Sequence, residues 1–409
     1  MRFPAGLHSL NHRDFRLFIA GQMVSLIGTW MQSVGQAWLV LLLTNSPFKL
    51  GLIGTLQFGP MLFLAFLAGA ISDRLPKRRL IIGTQTVLML QAFLLGGLVW
   101  AGHVQYWHVA VLAALYGFAT TLDIPARQSF IVEMVGTDDI MNAIAINSAI
   151  FNGARIVGPA VAGLLVARYG VATAFLLNGV SFIAVILALL AMRAEGSPRP
   201  SDDTTVLQDI AAGVHYALGS PLVSVVLSLL LFVSLFVLNQ NVLVPLLARD
   251  VLHAGAQGFG LLMASLGAGA LVGALALALL GTNRLPLIIV VASAVTVSAA
   301  TLALAAVRYF WLAFIGLALI GFAQIVFTAS VNTILQVAVP NQLRGRVMSL
   351  YAFVFVGMSP IGSFLMGSIA EVFGVSAAFA IGGGLGLLLV LVVTLVGTRG
   401  SLPQLLRPR

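Results

Sequence analysis

The chain has 409 residues, of which 60% are hydrophobic and only 8% charged, and it contains no cysteine. A soluble domain carries about 25% charged residues, so hydrocarbon is the solvent for most of this protein, and disulfides, thiol nucleophiles and thiolate metal sites are excluded. A formal charge of +9 would suggest nucleic acid in a soluble protein; here it sits in short loops, where cations set membrane orientation.

Residues 1–16 hold Arg2, Arg13 and Arg16 together with Phe3, Leu7, Leu10 and Phe15, the pattern of a short interfacial amphipathic segment. The first apolar run, Leu17 to Leu43, is longer than the roughly 7–15 residues of a cleavable signal core. Twelve spans follow, at 16–43, 50–72, 80–101, 107–127, 140–167, 171–192, 222–248, 257–281, 286–307, 309–334, 345–370 and 375–397. Each is near the roughly 20 residues that a helix needs to cross hydrocarbon. With the N-terminus inside, 16 of the 21 Lys and Arg residues fall on the cytoplasmic side. Lys49, Arg168, Arg249 and Arg308 fall outside, and Arg155 lies within the membrane. That asymmetry predicts an even number of spans and two cytoplasmic termini.

Residues 193–221 differ in composition. A polar stretch, 194–203, precedes a short surface helix with Leu207, Ile210, Val214 and Ala217 on one face. This is the expected linker between an N-terminal six-helix bundle, 1–192, and a C-terminal one, 222–409. The halves repeat. Gly163 to Phe175 matches Gly367 to Phe379 at an offset of 204, and Asp138-Asp139-Ile140 faces Asn341-Gln342-Leu343. Asp73-Arg74-Leu75-Pro76 has a twin, Asn283-Arg284-Leu285-Pro286, at an offset of 210. The expectation is an all-α integral membrane fold of two pseudo-symmetric six-helix bundles around a central cavity.

Polar groups within spans are costly and should face protein or a water-filled cavity. Span 1 places Gln22, Ser25, Thr29, Gln32 and Gln36 on one helical face, read as a cavity lining, with interhelical hydrogen bonding as the alternative. Span 4 carries Tyr116, Thr120, Asp123 and Arg127 on one face. Asp123 is either a titratable coupling group or a brace for the cations of loop 72–79. Span 5 carries Asn152, Arg155, Gly158 and Pro159. Arg155 suits an anionic or acceptor-rich substrate, because its fork binds carboxylates bidentately; a tie to Asp123 or to a backbone carbonyl is the equal alternative. In the second half Asn241, Gln324 and Thr328 are candidate cavity groups, again against interhelical bonding. The six histidines lie in loops or at helix ends and read as solvated. No phosphate-cradling loop, nucleophile–base constellation or metal-ligand spacing is found, so neither cofactor nor metal is expected.

Loop 69–79 reads Gly69-x-x-x-Asp73-Arg74-x-x-x-Arg78-Arg79. It resembles the signature loop of the major facilitator superfamily, with Pro76 and Lys77 where a Gly and an Arg are commoner. Asn11 to Arg16, Ser25-x-x-Gly28-x-Trp30 and Ile124 to Met134 resemble the enterobactin-exporter-like branch of bacterial effluxers. The resemblance implies alternating access in the bacterial inner membrane, export of a siderophore-like or drug-like amphipathic molecule, and proton antiport. It makes Gly69, Asp73, Arg74 and Arg78 gate candidates, with Asp123, Arg127, Gly158 and Pro159 as further conformational positions, and it favours the bracing reading of Asp123. A monomer is expected, with the lipid bilayer, a small molecule and protons as partners and no nucleic acid. An importer or facilitator is the alternative within transport. A transport-dead receptor or assembly subunit is the alternative outside it, and a large soluble loop would favour that.

Overall fold

The structure is a computed structural model that describes residues 5–197, 206–280 and 286–397; Asn283, Arg284 and Leu285 of the second-half loop lie outside these, as do the side chains of Asp73, Leu207 and Ile210. A 3-10 turn, Ala5–Asn11, leads into α1 (Arg13–Thr44), α2 (Pro47–Arg74), α3 (Lys77–Trp100), α4 (Tyr106–Val135), α5 (Ile140–Tyr169) and α6 (Ala172–Ala191). A surface helix follows, α7 (Val206–Gly219), and then α8 (Pro221–Phe232), α9 (Gln240–Leu246), α10 (Gly255–Leu280), α11 (Leu287–Leu304), α12 (Phe310–Ala338), α13 (Asn341–Phe373) and α14 (Val375–Gly397). Among the described residues no strand forms. Eleven helical segments among the described residues are long and apolar enough to cross a membrane. Helix α2 spans 28 residues with no charge between Lys49 and Asp73, which makes the twelfth span.

Two departures from the sequence expectation matter. Span 4 does not stop at 127: α4 runs on to Val135 through an internal Pro125. Asp123 therefore lies about 18 Å from the helix's far end, at 1.5 Å per residue, rather than at its terminus. Span 7 is not one helix. It passes from α8 into a π turn, Val233–Val237, breaks at Leu238, and resumes as α9, which carries Pro245. At the break the Asn239 N–H goes to Val237 O, and Asn239 Nδ2 donates to Leu235 O at 2.9 Å, a carbonyl beside the break.

The chain forms two compact units. Unit 1 comprises Met1–Asn45, Gly59–Asp202 and Gly255–Ala264. Its core is Phe15, Phe18, Ile81, Phe130, Val185 and Leu189, all nearly inaccessible, drawn from α1, α3, α4 and α6. In lipid the hydrophobic effect does not drive helices together, so close packing by small residues must. Gly21, Gly28 and Gly35, seven residues apart on α1, do this against α6. A Cβ at Gly28 would stand 2.5 Å from Asn178 Oδ1, and one at Gly35 2.9 Å from the Ala174 Cβ. Unit 2 comprises Ser46–Phe58, Asp203–Ala254 and Ser265–Arg409. There α11 packs on α12 and α14, and α13 on α14 and α7. A Cβ at Gly269 would fall 1.8 Å from Ala318 O, and one at Gly321 1.9 Å from Leu266 O, so these backbones touch directly.

Candidate functional site

Unit 1 encloses a cavity of about 370 Å3 among α1, α3, α4, α5 and α6. Helical spacing of three and four residues brings one polar face of α4, with Tyr116, Thr120, Asp123 and Arg127, onto its wall. Gln22, Ser25 and Thr29 of α1, Gln85 of α3 and Asn147 of α5 complete the polar lining.

Asp123 is 6% exposed and sits at the centre of the hydrogen bonding. One carboxylate oxygen accepts from Thr84 Oγ1 at 2.6 Å and from Gln85 Nε2 at 3.0 Å. The other accepts from Arg127 Nε, one turn along the same helix. The Arg127 guanidinium also lies 5.6 Å from the centre of the Phe18 ring. The pair is charge-neutral and hydrogen-bonded, which is the condition for holding ions away from water. The described partners of Asp123 are thus in α3 and α4 and not in loop 72–79. Across the cavity Gln22 Nε2 donates to Asn147 Oδ1 at 3.1 Å. Gln22 Oε1 and Gln85 Oε1 are buried and make no hydrogen bond.

The polar stripe of α1 divides. Gln22, Ser25 and Thr29 line the cavity, whereas Gln32 and Gln36 are buried away from its lining. Gln32 Nε2 donates to Gln91 Oε1 at 2.9 Å, and Gln32 Oε1 accepts from Asn178 Nδ2 at 2.7 Å, tying α1 to α3 and α6. Asn152 turns back on its own helix, donating to Ser148 O at 2.9 Å. Arg155 makes no ion pair or hydrogen bond among the described residues. Its guanidinium lies 5.9 Å from the centre of the Trp30 ring, and Trp30 meets Phe151 of the cavity wall edge-on at 5.9 Å. Neither alternative tie, to Asp123 or to a carbonyl, forms. Gly158 is the contact point of α5 with α1: a Cβ there would fall 2.5 Å from Trp30 Cβ. Pro159 follows it, buried within α5.

In unit 2, Asn241 is exposed at the start of α9. Gln324 and Thr328 share a face of α12, where Thr328 Oγ1 donates to Gln324 O at 3.0 Å and Gln324 Oε1 is buried without a partner.

The loop after α2 is held by a residue the motif did not single out. Lys77 is fully buried and pairs with Glu133 of α4 at 3.1 Å, and its ammonium also donates to Ser197 O. Glu133 accepts from the Ser197 N–H at 2.9 Å. Gly196, at φ +74, lies against Lys77 so closely that a Cβ would stand 2.8 Å from the lysine's own. Arg78 Nη2 donates to Leu190 O at 2.9 Å. Arg74 is exposed at the end of α2, and Gly69 has open space around it. The signal for Lys77 was its place among four cations, but its partner is 56 residues away. Two histidines are also partnered: His8 Nδ1 and His12 Nε2 each lie 2.8 Å from one oxygen of Asp139, at the start of α5.

The architecture is that of polytopic membrane transporters. A solved nucleoside transporter, NupG, superposes with a TM-score of 0.75 over 93% of this chain and 98% of its own, at 11% identity. A peptide transporter of the POT family superposes at 0.73 over 95% and 94%. A family model for transmembrane secretion effectors matches residues 5–405, and the chain belongs to that family, within the major facilitator superfamily. Among characterised relatives, the enterobactin exporter EntS of Escherichia coli is 29% identical over 96% of this chain and 95% of its own. The staphyloferrin A transporter of Staphylococcus aureus is 25% identical over 90% and 92%. The multidrug efflux pump Tap of Mycolicibacterium fortuitum is 26% identical over 89% and 90%. The protein is therefore a multi-pass membrane transporter for a small molecule and not an enzyme.

Proposed function

We propose that this transporter exports a small amphipathic molecule, siderophore-like or drug-like, across the bacterial inner membrane by alternating access, and that the Asp123–Arg127 cavity couples transport to protons. The relatives that align over nine-tenths or more of their length include an enterobactin exporter, a multidrug efflux pump and a staphyloferrin A transporter; the first two support the direction, and all three support the substrate class. The 16-of-21 cation asymmetry supports cytoplasmic termini, and the internal repeat supports two bundles, 1–192 and 222–409, that rock around the site as a monomer. Gly69, Asp73, Arg74 and Arg78 would serve the gate, with Gly158 and Pro159 at the bending face of α5.

The observation that carries the coupling reading is the buried, neutral carboxylate–guanidinium pair on a cavity wall. Antiport requires that proton and substrate compete. A ligand offering O–H, N–H or ammonium donors competes with a proton at Asp123, and the free acceptors of Gln22 and Gln85 favour the same chemistry. An anionic ligand held by Arg127 would bind better once Asp123 is protonated, which is the linkage of a symporter. Thr29 and Tyr116 would contact the ligand in this cavity. Arg155, Asn152, Asn241, Gln324 and Thr328 would do so elsewhere on its path, and Gln32 and Gln36 would support α1. The test is uptake into inside-out vesicles that contain the purified protein, across a panel of catechol, hydroxycarboxylate and cationic dye substrates. An interior-acid gradient should drive uptake of a donor-rich substrate; uptake driven only by the reverse gradient would reject antiport.

A further inference from the structure

A second cavity in unit 1 is unlike the first. It is a cleft of about 650 Å3 between α3 and α4, walled by Leu75, Leu80, Val87, Leu115, Phe118 and Leu122. Several of these walls are themselves exposed: Phe118 at 50%, Leu75 at 43% and Leu115 at 40%. A cleft of this character opens towards hydrocarbon rather than water. Arg79 stands at its mouth, in the first turn of α3. The two cations before it are committed, Lys77 to Glu133 and Arg78 to Leu190 O. Arg79 is exposed and has no ion pair or hydrogen bond among the described residues. It also stands where the positive end of a helix dipole favours an anion. From Arg79 to Val87 the cleft descends along α3 by about 12 Å at 1.5 Å per residue, within the roughly 15 Å of hydrocarbon in one leaflet.

We propose that this cleft is a binding site for an anionic phospholipid, with the phosphate on Arg79 and an acyl chain lying along Gly83 between α3 and α4. Charge and polarity are arranged as that ligand requires: one unshared guanidinium at headgroup depth and an apolar trough beneath it. The site also touches the transport machinery. Thr84 lies on the floor of the cleft and its hydroxyl donates a hydrogen bond to Asp123 on the wall of the polar cavity. A bound chain would therefore hold the α3 segment that presents Thr84 and Gln85 to Asp123. This second consequence rests on the coupling reading above, whereas the lipid site itself does not.

The test counts lipid retained on the purified full chain by native mass spectrometry, with phosphatidylglycerol and phosphatidylcholine offered in equal amounts. One surface cation near anionic lipid gives a preference of about fivefold, so phosphatidylglycerol should be retained about fivefold over phosphatidylcholine. Arg79→Gln should abolish the preference, and Gly83→Phe should abolish retention of both lipids. A Cβ at Gly83 meets nothing within 4 Å, so the phenylalanine enters the cleft without displacing backbone, and an unchanged melting temperature identifies a folded variant. Gly83→Ala should behave as wild type. Equal retention of both lipids by the wild type, or undiminished phosphatidylglycerol in Arg79→Gln and Gly83→Phe, overturns the proposal. Displacement of the lipid from wild type by an amphipathic transported dye, with Gly83→Phe losing binding of that dye, overturns it too, and makes the cleft a substrate entry port.

Discussion

The two units repeat their helix crossings but not their charges. In unit 1, a Cβ at Gly163 of α5 would lie 2.9 Å from the Cα of Gly260 in α10; in unit 2, one at Gly367 of α13 would lie 2.8 Å from the Cα of Gly51 in α2. Gly163 and Gly367 are the same position of the repeat, at the offset of 204, and each brings two backbones into contact. The electrostatics diverge at equally matched positions. The offset of 210 places Leu287 opposite Lys77; each opens its helix after a proline, and each is buried, at 3% and 0%. One is an aliphatic core residue and the other an ammonium ion paired with Glu133. Backbone proximity is thus what the repeat preserves. Among the described residues the more buried helical ion pairs, Asp123–Arg127 and Lys77–Glu133, lie in unit 1, against the more exposed Arg249–Asp250 of unit 2, and unit 1 carries the proposed coupling.

Substituting Lys77 and Leu287 is the strongest way to break this comparison. Lys77→Ala leaves Glu133 without its cation and should cost about 3–5 kcal/mol, read by thermal unfolding in lipid nanodiscs. Replacing both Lys77 and Glu133 by leucine should recover most of that loss, because an apolar pair suits a site that Leu287 already fills in unit 2. Leu287→Ala should cost about 2–5 kcal/mol as a cavity effect, with no pairing partner able to restore it. A Lys77→Ala protein as stable as wild type would remove the ion pair from the account.

The shared crossings sharpen the comparison from the other side. Gly163→Ala and Gly367→Ala each force a methyl against backbone and should cost about 1–3 kcal/mol, nearly equally, in the same assay. A large cost at one position and none at the other would show that the repeat does not preserve these contacts.

The smallest effect concerns the start of α5. Hydrogen bonds from His12, and then from His8, hold the Asp139 carboxyl below its ordinary range. A lowered carboxylate contributes stability above its unfolded value and loses it as pH falls through the folded one. Docking of residues 8–12 on α5 should therefore persist at neutral pH and fade only below about pH 4, followed by hydrogen exchange. The paired position in unit 2, Gln342, has no titratable group, and the start of α13 should show no such transition.

Most of the fold was legible, because a bilayer permits few ways to satisfy a backbone and hydropathy marks the helices directly. The exceptions have local causes. Asp123, Pro125, Arg127 and Gln128 read as the polar end of a span, but α4 continues through them because α1 and α3 cover that face with Phe18, Thr84 and Gln85. The α1 stripe was visible as a stripe. Its split was not, since Gln32 is drawn aside by Gln91 and Asn178, which lie far along the chain and carry no periodic signal. The glycines at 21, 28 and 35, one every seven residues, are a signal that could have found the α1–α6 crossing and was missed. Lys77 looked like one more orienting cation; its burial and its contacts with Glu133 and Ser197 separate it from the exposed Arg79.

The central claim is that Asp123 is the proton-coupling group of the transporter. The most direct measurement compares Asp123→Asn with wild type in proteoliposomes, reading both pH-driven flux and substrate counterflow. The account predicts that the variant loses gradient-driven flux and keeps counterflow, since Arg127, Thr84 and Gln85 can still hold a neutral amide. Gradient-driven flux at the wild-type rate in Asp123→Asn would contradict it.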